Sequence, residues 1–89
     1  MSYHMEIKPS CKASIKKLCQ KNPVLRKAIT NKIKQIIENP MRFKPLSHGL
    51  AGQRRVHIQK SFVLKYTIAE TEKIIIFLFF GHHDEAYKR

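Results

Sequence analysis

Acidic residues are scarce in this chain of 89 residues. Six Asp and Glu stand against 18 Lys and Arg, so the formal net charge is +12 with the histidines neutral. A surface with so large an excess of positive charge attracts polyanions. The composition therefore predicts nucleic acid as the leading class of partner and an acidic protein as the second.

Long apolar segments are also missing. The longest apolar run, Ile-Ile-Ile-Phe-Leu-Phe-Phe, covers residues 74–80, whereas a membrane-spanning helix needs about 20 residues. The first residues include no apolar core of a signal peptide. We therefore expect a cytoplasmic protein with no membrane partner, and its length leaves room for one domain over residues 1–89.

Sequence motifs for metal, phosphate-loop and serine chemistry are absent. The two cysteines, Cys11 and Cys19, would lie about 12 Å apart along a helix, which is too far for a disulfide. The neighbouring His82 and His83 would point to opposite faces of an extended strand, so they could not share one ion. We therefore predict acid–base and electrostatic chemistry without a metal ion or other cofactor.

Residue periodicity predicts one strand and two helices in the first half of the chain. Apolar and polar residues alternate over 3–8, which indicates a half-buried strand. Apolar stripes at helical spacing predict helices over about 11–21 and 23–39, with Ser10 and Asn22 as their N-caps. Because the joint between the helices is short, we expect an antiparallel hairpin.

The second half of the chain contains three closely spaced strands, predicted at about 53–59, 62–68 and 73–81. The order β-α-α-β-β-β indicates an α+β fold: an antiparallel-rich four-stranded sheet with the N-terminal helical hairpin packed on one face. No helix is left to cover the other face. We therefore expect the binding groove on that face.

The strand at 53–59 brings polar residues to this groove. Alternation places Arg55 and His57 on the face opposite Val56. If Val56 packs on the helices, Lys65 of the next strand joins Arg55 and His57 on the open face. The alternative interpretation is a strand face that is merely solvated.

The apolar run of the last strand stops at Gly81, and His82 and His83 follow at once. Imidazole is the side chain best matched to proton transfer near neutral pH. RNA cleavage fits this chemistry, because the 2′-hydroxyl of the substrate is the nucleophile and the protein adds only an acid, a base and cations. The alternative is a solubilising tail.

Three segments carry a resemblance to a known family. They are Leu46 followed by Gly-Gln-Arg-Arg-Val-His-Ile at 52–58, Phe-Val-Leu-Lys-Tyr at 62–66, and Gly-His-His-Asp-Glu-Ala-Tyr at 81–87. In this order and spacing they resemble the RelE/ParE superfamily of bacterial and archaeal toxins. The last segment is similar to the ending of the RelE and YafQ branch, and the resemblance covers nearly the whole chain.

The resemblance implies a toxin of a type II toxin–antitoxin system with a RelE-like fold. Members of this branch are mRNA interferases, which cut messages in the ribosomal A site without a metal ion. An acidic, RelB-like antitoxin would inhibit the toxin. By resemblance, His83 is the general acid or base, and His57 is a second acid–base or phosphate-contacting group. Tyr87 would stack on or orient the mRNA base, and Arg54 would stabilise the phosphate. Lys44 lies where relatives place a histidine or lysine near the active site.

Alternation and resemblance disagree about Arg54. Alternation puts Arg54 opposite His57, so either a bulge or twist brings both to the groove or Arg55 replaces Arg54. Both arginines are kept as candidates. Ser61 stands where some relatives have an acid that helps to position a histidine.

Two other functions stay open: a ParE-like inhibitor of DNA gyrase that cuts nothing, and an RNA-binding module without catalysis. The histidine-to-aromatic ending favours cleavage. We further expect the basic residues of the helices to contact ribosomal RNA backbone without reading its sequence, with simple solvation as the alternative. These residues are Lys12, Lys16, Lys17, Lys21, Arg26, Lys27, Lys32 and Lys34.

Overall fold

The computed structural model describes residues 3–43 and 52–86. Its elements in chain order are strand β1 (His4–Ile7), helices α1 (Pro9–Cys19) and α2 (Pro23–Glu38), a 3₁₀ turn (Pro40–Arg42), strands β2 (Gln53–Ile58), β3 (Phe62–Ala69) and β4 (Ile74–His82), and the short helix α3 (His83–Ala86). The predicted order β-α-α-β-β-β is confirmed. Helix α3 is one helical turn that the periodicity did not predict.

The strands form a four-stranded sheet in the order β1-β4-β3-β2. β3 is antiparallel to both of its neighbours, whereas β1 is parallel to β4. The sheet is therefore mixed, with antiparallel pairs in the majority. α1 packs against β4 and α2 against β2, and both helices share one core with the sheet.

The two main helices begin in different ways. The predicted N-cap at Ser10 is wrong: α1 already starts at Pro9, and Lys8 occupies the cap position. Proline suits the first helical position, where the N–H that it lacks has no partner in the helix. The prediction for α2 is confirmed, because the Asn22 side chain accepts a hydrogen bond of 3.0 Å from the backbone N–H of Leu25.

The core lies between the helices and one face of the sheet. Its buried side chains are Cys11, Cys19, Leu25, Ile29 and Ile36 from the helices and Val56, Ile58, Leu64, Tyr66, Ile75, Phe77 and Phe80 from the sheet. Burial raises the pKa of the Cys11 thiol to about 11, so this cysteine is a neutral apolar filler at neutral pH. Within residues 3–43 and 52–86, no helix combines the length and apolarity needed to cross a membrane.

A bulge in β4 changes which residues face the helices. Lys65 pairs with Phe79 but Tyr66 pairs with Phe77, so Leu78 is an extra residue in the strand. Strict alternation would send Phe77 and Phe80 to opposite faces. With the bulge, both are buried in the helix-side core. The bulge therefore reverses the alternation for the last residues of β4.

Candidate active site

Two histidines meet on the sheet face turned away from α1 and α2, here termed the open face (Arg55, His57, Lys65 and the buried Val63). His57 of β2 lies opposite Val63 of β3, and Val63 pairs in turn with Gly81 of β4. The rings of His57 and His83 are stacked, with centroids 5.5 Å apart and an interplanar angle of 24°. Both residues are exposed. Part of each side chain is therefore accessible from solvent.

The residue after β4 is hydrogen-bonded to the turn between β2 and β3. The backbone N–H of His83 donates a hydrogen bond of 2.7 Å to the carbonyl of Ser61. His83 is also the first residue of α3. The Asp84 Oδ1 atom lies 3.9 Å from His83 Nδ1, which is close enough for an ion pair with a protonated imidazole but too long for a hydrogen bond. Backbone contacts thus fix the position of His83.

A cleft of about 420 Å³ opens at this pair. It is lined by His57, Lys60, Ser61, His82, His83 and Asp84. Lys60 brings an exposed cation to the cleft, and it is not among the site residues predicted from the sequence. The sequence does contain a signal for Lys60, because it lies in the hairpin loop after the strand of His57. Antiparallel pairing brings that loop to the end of β4.

His82 and His83 point to opposite faces, as alternation predicts for neighbours. The His82 ring packs against Phe62, with centroids 4.7 Å apart, and Phe62 also stacks on Phe80 of the core at 5.6 Å. The His82 ring therefore lies on the helix side, although His82 is also among the residues that line the cleft. The two neighbouring imidazoles have different surroundings.

Arg54 lies on the helix side, away from the histidines. Its Nη1 atom donates a hydrogen bond of 2.5 Å to the carbonyl of Phe43, and its Nη2 atom lies 3.3 Å from Met41 Sδ. It pairs across the sheet with Tyr66, whose buried hydroxyl donates a 2.8 Å hydrogen bond to the carbonyl of Pro40. β2 has no bulge that would turn Arg54 to the open face. The structure therefore does not bring Arg54 together with His57 and His83.

Arg55 and Lys65 lie on the open face, where they pair with each other across β2 and β3. The Lys65 Nζ atom lies 5.7 Å from the centroid of the Phe79 ring. Neither residue lines the cleft, but both extend its positive charge along the sheet. Lys44 and Tyr87, together with Leu46 of the sequence motif, lie outside the described residues.

The basic residues predicted to contact ribosomal RNA are mostly exposed on α1, on α2 and at the joint between them. Two of them also have contacts within the protein. Arg26 Nη2 donates a 3.1 Å hydrogen bond to the carbonyl of Cys19, and Lys32 Nζ lies 5.6 Å from the Phe43 ring centroid. α1 contains no acidic residue, and α2 contains only Glu38.

Comparison with known proteins places this chain among small toxins. The profile of the family described as "ParE toxin of type II toxin-antitoxin system, parDE" matches residues 5–87. The chain is 44% identical over 87 residues to a protein of Methanocaldococcus jannaschii named "Putative toxin RelE4", covering 98% of this chain and 93% of the relative.

Solved structures have the same fold. YafQ from E. coli strain BL21(DE3) matches with a TM-score of 0.77 at 18% identity, covering 97% of this chain and 99% of YafQ. The intact E. coli RelBE toxin–antitoxin complex contains a chain that matches with a TM-score of 0.75 at 16% identity, covering 89% of this chain and 94% of that one. At these identities the likeness concerns the fold alone.

Proposed function

The chain belongs to the RelE/ParE superfamily of toxins of type II toxin–antitoxin systems, and we propose that it is an endoribonuclease that cuts mRNA in the ribosomal A site. The observation that carries this proposal is the stacked pair of His57 and His83 in a cleft with a cation. Cleavage of the message would block translation.

The reaction needs an acid, a base and positive charge. The ribose 2′-oxygen attacks the adjacent phosphorus and loses its proton to one imidazole, while the other imidazole protonates the departing 5′-oxygen. The P–O5′ bond breaks, which leaves a 2′,3′-cyclic phosphate and a 5′-hydroxyl. His57 and His83 line the same cleft, so both can contact a single phosphate. Which of them is the base stays open.

The crowded phosphate gains negative charge in the transition state, and a nearby cation stabilises it. Lys60 lines the cleft, so it is the residue best placed for this role. Arg55 and Lys65 continue the positive surface along the open face and would hold the neighbouring phosphates. Arg54 would support the fold instead, because its guanidinium binds the carbonyl of Phe43.

Two macromolecular partners follow from the net charge of +12. The basic residues of α1 and α2 would contact ribosomal RNA through its phosphates. An acidic, RelB-like antitoxin would neutralise the same charge and block the toxin. This partner is supported by the toxin–antitoxin complex in which the E. coli relative is found.

A second candidate function is inhibition of DNA gyrase without nuclease activity. It is favoured by the matching family profile, which is that of the ParE toxin. Under this alternative, the histidine pair would bind a phosphate or an acidic protein surface without proton transfer.

Primer extension on mRNA from a translation reaction separates the two candidates. An A-site ribonuclease produces new 5′ ends within A-site codons when the purified protein is added. A gyrase inhibitor leaves the message intact and abolishes supercoiling of plasmid DNA in a parallel assay. If the protein binds RNA but affects neither readout, the non-catalytic binding module is the correct function.

A further inference from the structure

We propose that a second cleft, beside α1, binds the nucleotide next to the cut in the same RNA strand. This cleft has a volume of about 310 Å³ and lies between α1 and the end of β4. It is lined by Ser14, Lys17 and Leu18 from the helix and by Phe79, Phe80 and His82 from the strand. The inference rests on the proposed nuclease function and adds a substrate subsite to it.

The lining of the second cleft matches the mixed chemistry of a nucleotide. Lys17 is exposed and offers an ammonium group to a phosphate, while the Ser14 hydroxyl can donate to or accept from a ribose or base edge. Leu18, which is half-buried, provides apolar surface that an unpaired base can cover. No acidic side chain is among the described residues that line it, so a phosphate meets no like charge there.

His82 connects the second cleft to the candidate active site, because it is among the residues that line both clefts. Its ring packs on Phe62 at 4.7 Å, which holds the imidazole at the boundary. An RNA strand whose reacting phosphate lies against His57 and His83 would pass His82 to enter the second cleft. Under this proposal the two clefts form one path for the strand, with Lys60 lining the first and Lys17 lining the second.

Lys16 and Lys17 offer a matched comparison. Both are exposed lysines of α1, and of the two only Lys17 lines the second cleft. If the helices bind RNA by charge alone, the two lysines are equivalent, because phosphate contacts of this kind do not depend on a formed site. If the second cleft is a nucleotide subsite, losing Lys17 removes the affinity contributed by one particular nucleotide.

The experiment measures binding of short 2′-O-methyl RNA, which lacks the free 2′-hydroxyl and is not cut. A dinucleotide is compared with two trinucleotides that add one nucleotide at the 5′ or the 3′ end. Dissociation constants are measured by fluorescence anisotropy at low salt for the wild-type protein, Lys16→Ala and Lys17→Ala. A trinucleotide whose added unit is abasic separates the contribution of the base from that of the phosphate.

We expect one of the two trinucleotides to bind the wild-type protein about tenfold more tightly than the dinucleotide, as one charged hydrogen bond plus apolar contact would give. Lys17→Ala should reduce this gain to less than about twofold. The trinucleotide with the abasic unit should show only part of the gain in the wild-type protein. Lys16→Ala should weaken the binding of all the oligonucleotides by the same factor, so that the gain remains. Absence of the gain in the wild-type protein, or equal loss of it in both variants, would overturn the subsite.

Cleavage on ribosomes, measured in parallel, keeps the two proposals separate. If the wild-type protein cuts message but shows no gain that depends on Lys17, the subsite is wrong and the nuclease stands. If the gain depends on Lys17 but no message is cut, the RNA path stands and the proposed nuclease function is wrong.

Discussion

Arg54 and Arg55 are neighbours on β2, yet they lie on opposite faces of the sheet. Arg54 donates a hydrogen bond to the carbonyl of Phe43 beside the buried Tyr66, whereas Arg55 lies on the open face with His57. His82 and His83 repeat this division at the end of β4. In each pair, one residue contacts other parts of the fold and the other lies on the face of the proposed active site. The sheet face, rather than the residue type, separates the two roles.

The largest expected effect comes from the histidine pair at the end of β4. His83→Ala should lower the rate of cleavage on ribosomes by about two to four orders of magnitude, the usual range for losing a general acid or base. His82→Ala should raise KM a few-fold through the second cleft and leave kcat within about twofold, because it removes binding rather than proton transfer. Single-turnover cleavage at several ribosome concentrations measures both constants. If His82→Ala lowers kcat more than His83→Ala does, His82 rather than His83 acts at the reacting phosphate.

The arginine pair should separate stability from activity. Arg54→Ala should lower the free energy of unfolding by about 1.5–3 kcal/mol, the range for a hydrogen bond to a charged group. Arg55→Ala should lower it less than Arg54→Ala does, but it should weaken cleavage. Urea unfolding and cleavage assays on both variants test whether Arg54 affects mainly stability and Arg55 mainly cleavage. If Arg54→Ala is fully stable and inactive, Arg54 contacts the phosphate after all.

Tyr66 should make the helix side sensitive to alkaline pH. Burial raises the pKa of its hydroxyl to about 12, and the positive charge of Arg54 opposes this rise only in part. In the unfolded chain the hydroxyl loses its proton from about pH 10. Since the unfolded state then binds fewer protons than the folded state, the contribution of Tyr66 to stability is present below pH 10 and declines between pH 10 and 12.

Tyr66→Phe should remove this part of the alkaline loss. It should also lower stability at pH 7 by about 1–3 kcal/mol, because the buried carbonyl of Pro40 loses its donor. Urea unfolding of the wild-type protein and of Tyr66→Phe at pH 7, 10 and 11 gives both quantities. Parallel loss of stability in the two proteins from pH 10 upward would mean that other groups cause the alkaline unfolding.

The smallest expected effects concern the exposed lysines of the helices. Replacing Lys12 or Lys27 by Ala should weaken ribosome binding about two- to fivefold without altering the fold. The slope of log affinity against log salt concentration should fall by about one, the value for one phosphate contact. Affinity measured between low and physiological salt gives both values. An unchanged slope would assign these lysines to solvation.

Local patterns predicted the element order, the Asn22 cap and the placement of Arg55 with His57. These features depend on residues close in sequence: a cap and its N–H, or the alternation of one strand. The α1 start at Pro9 was missed because Ser10 matches a cap equally well in sequence, and only the structure decides between them.

Contacts between distant residues could not be predicted in this way. The bulge at Leu78 arises from the pairing of β3 with β4, and it determines that His82 follows Phe80 to the helix side. Lys60 enters the site because its loop meets the end of β4. Arg54 binds a carbonyl before β2 in the chain rather than a ligand. In each case the decisive partner lies far away in the sequence.

The proposed cleavage reaction depends most on His57 and His83 acting together on one phosphate. A double-mutant cycle on single-turnover cleavage in ribosomes tests this directly, with the wild-type protein, His57→Ala, His83→Ala and the double variant. Residues that act as a unit are strongly non-additive, so the double variant should be within about threefold of the slower single variant. Losses that multiply in the double variant would mean that the two histidines act independently, and would contradict the proposed active site.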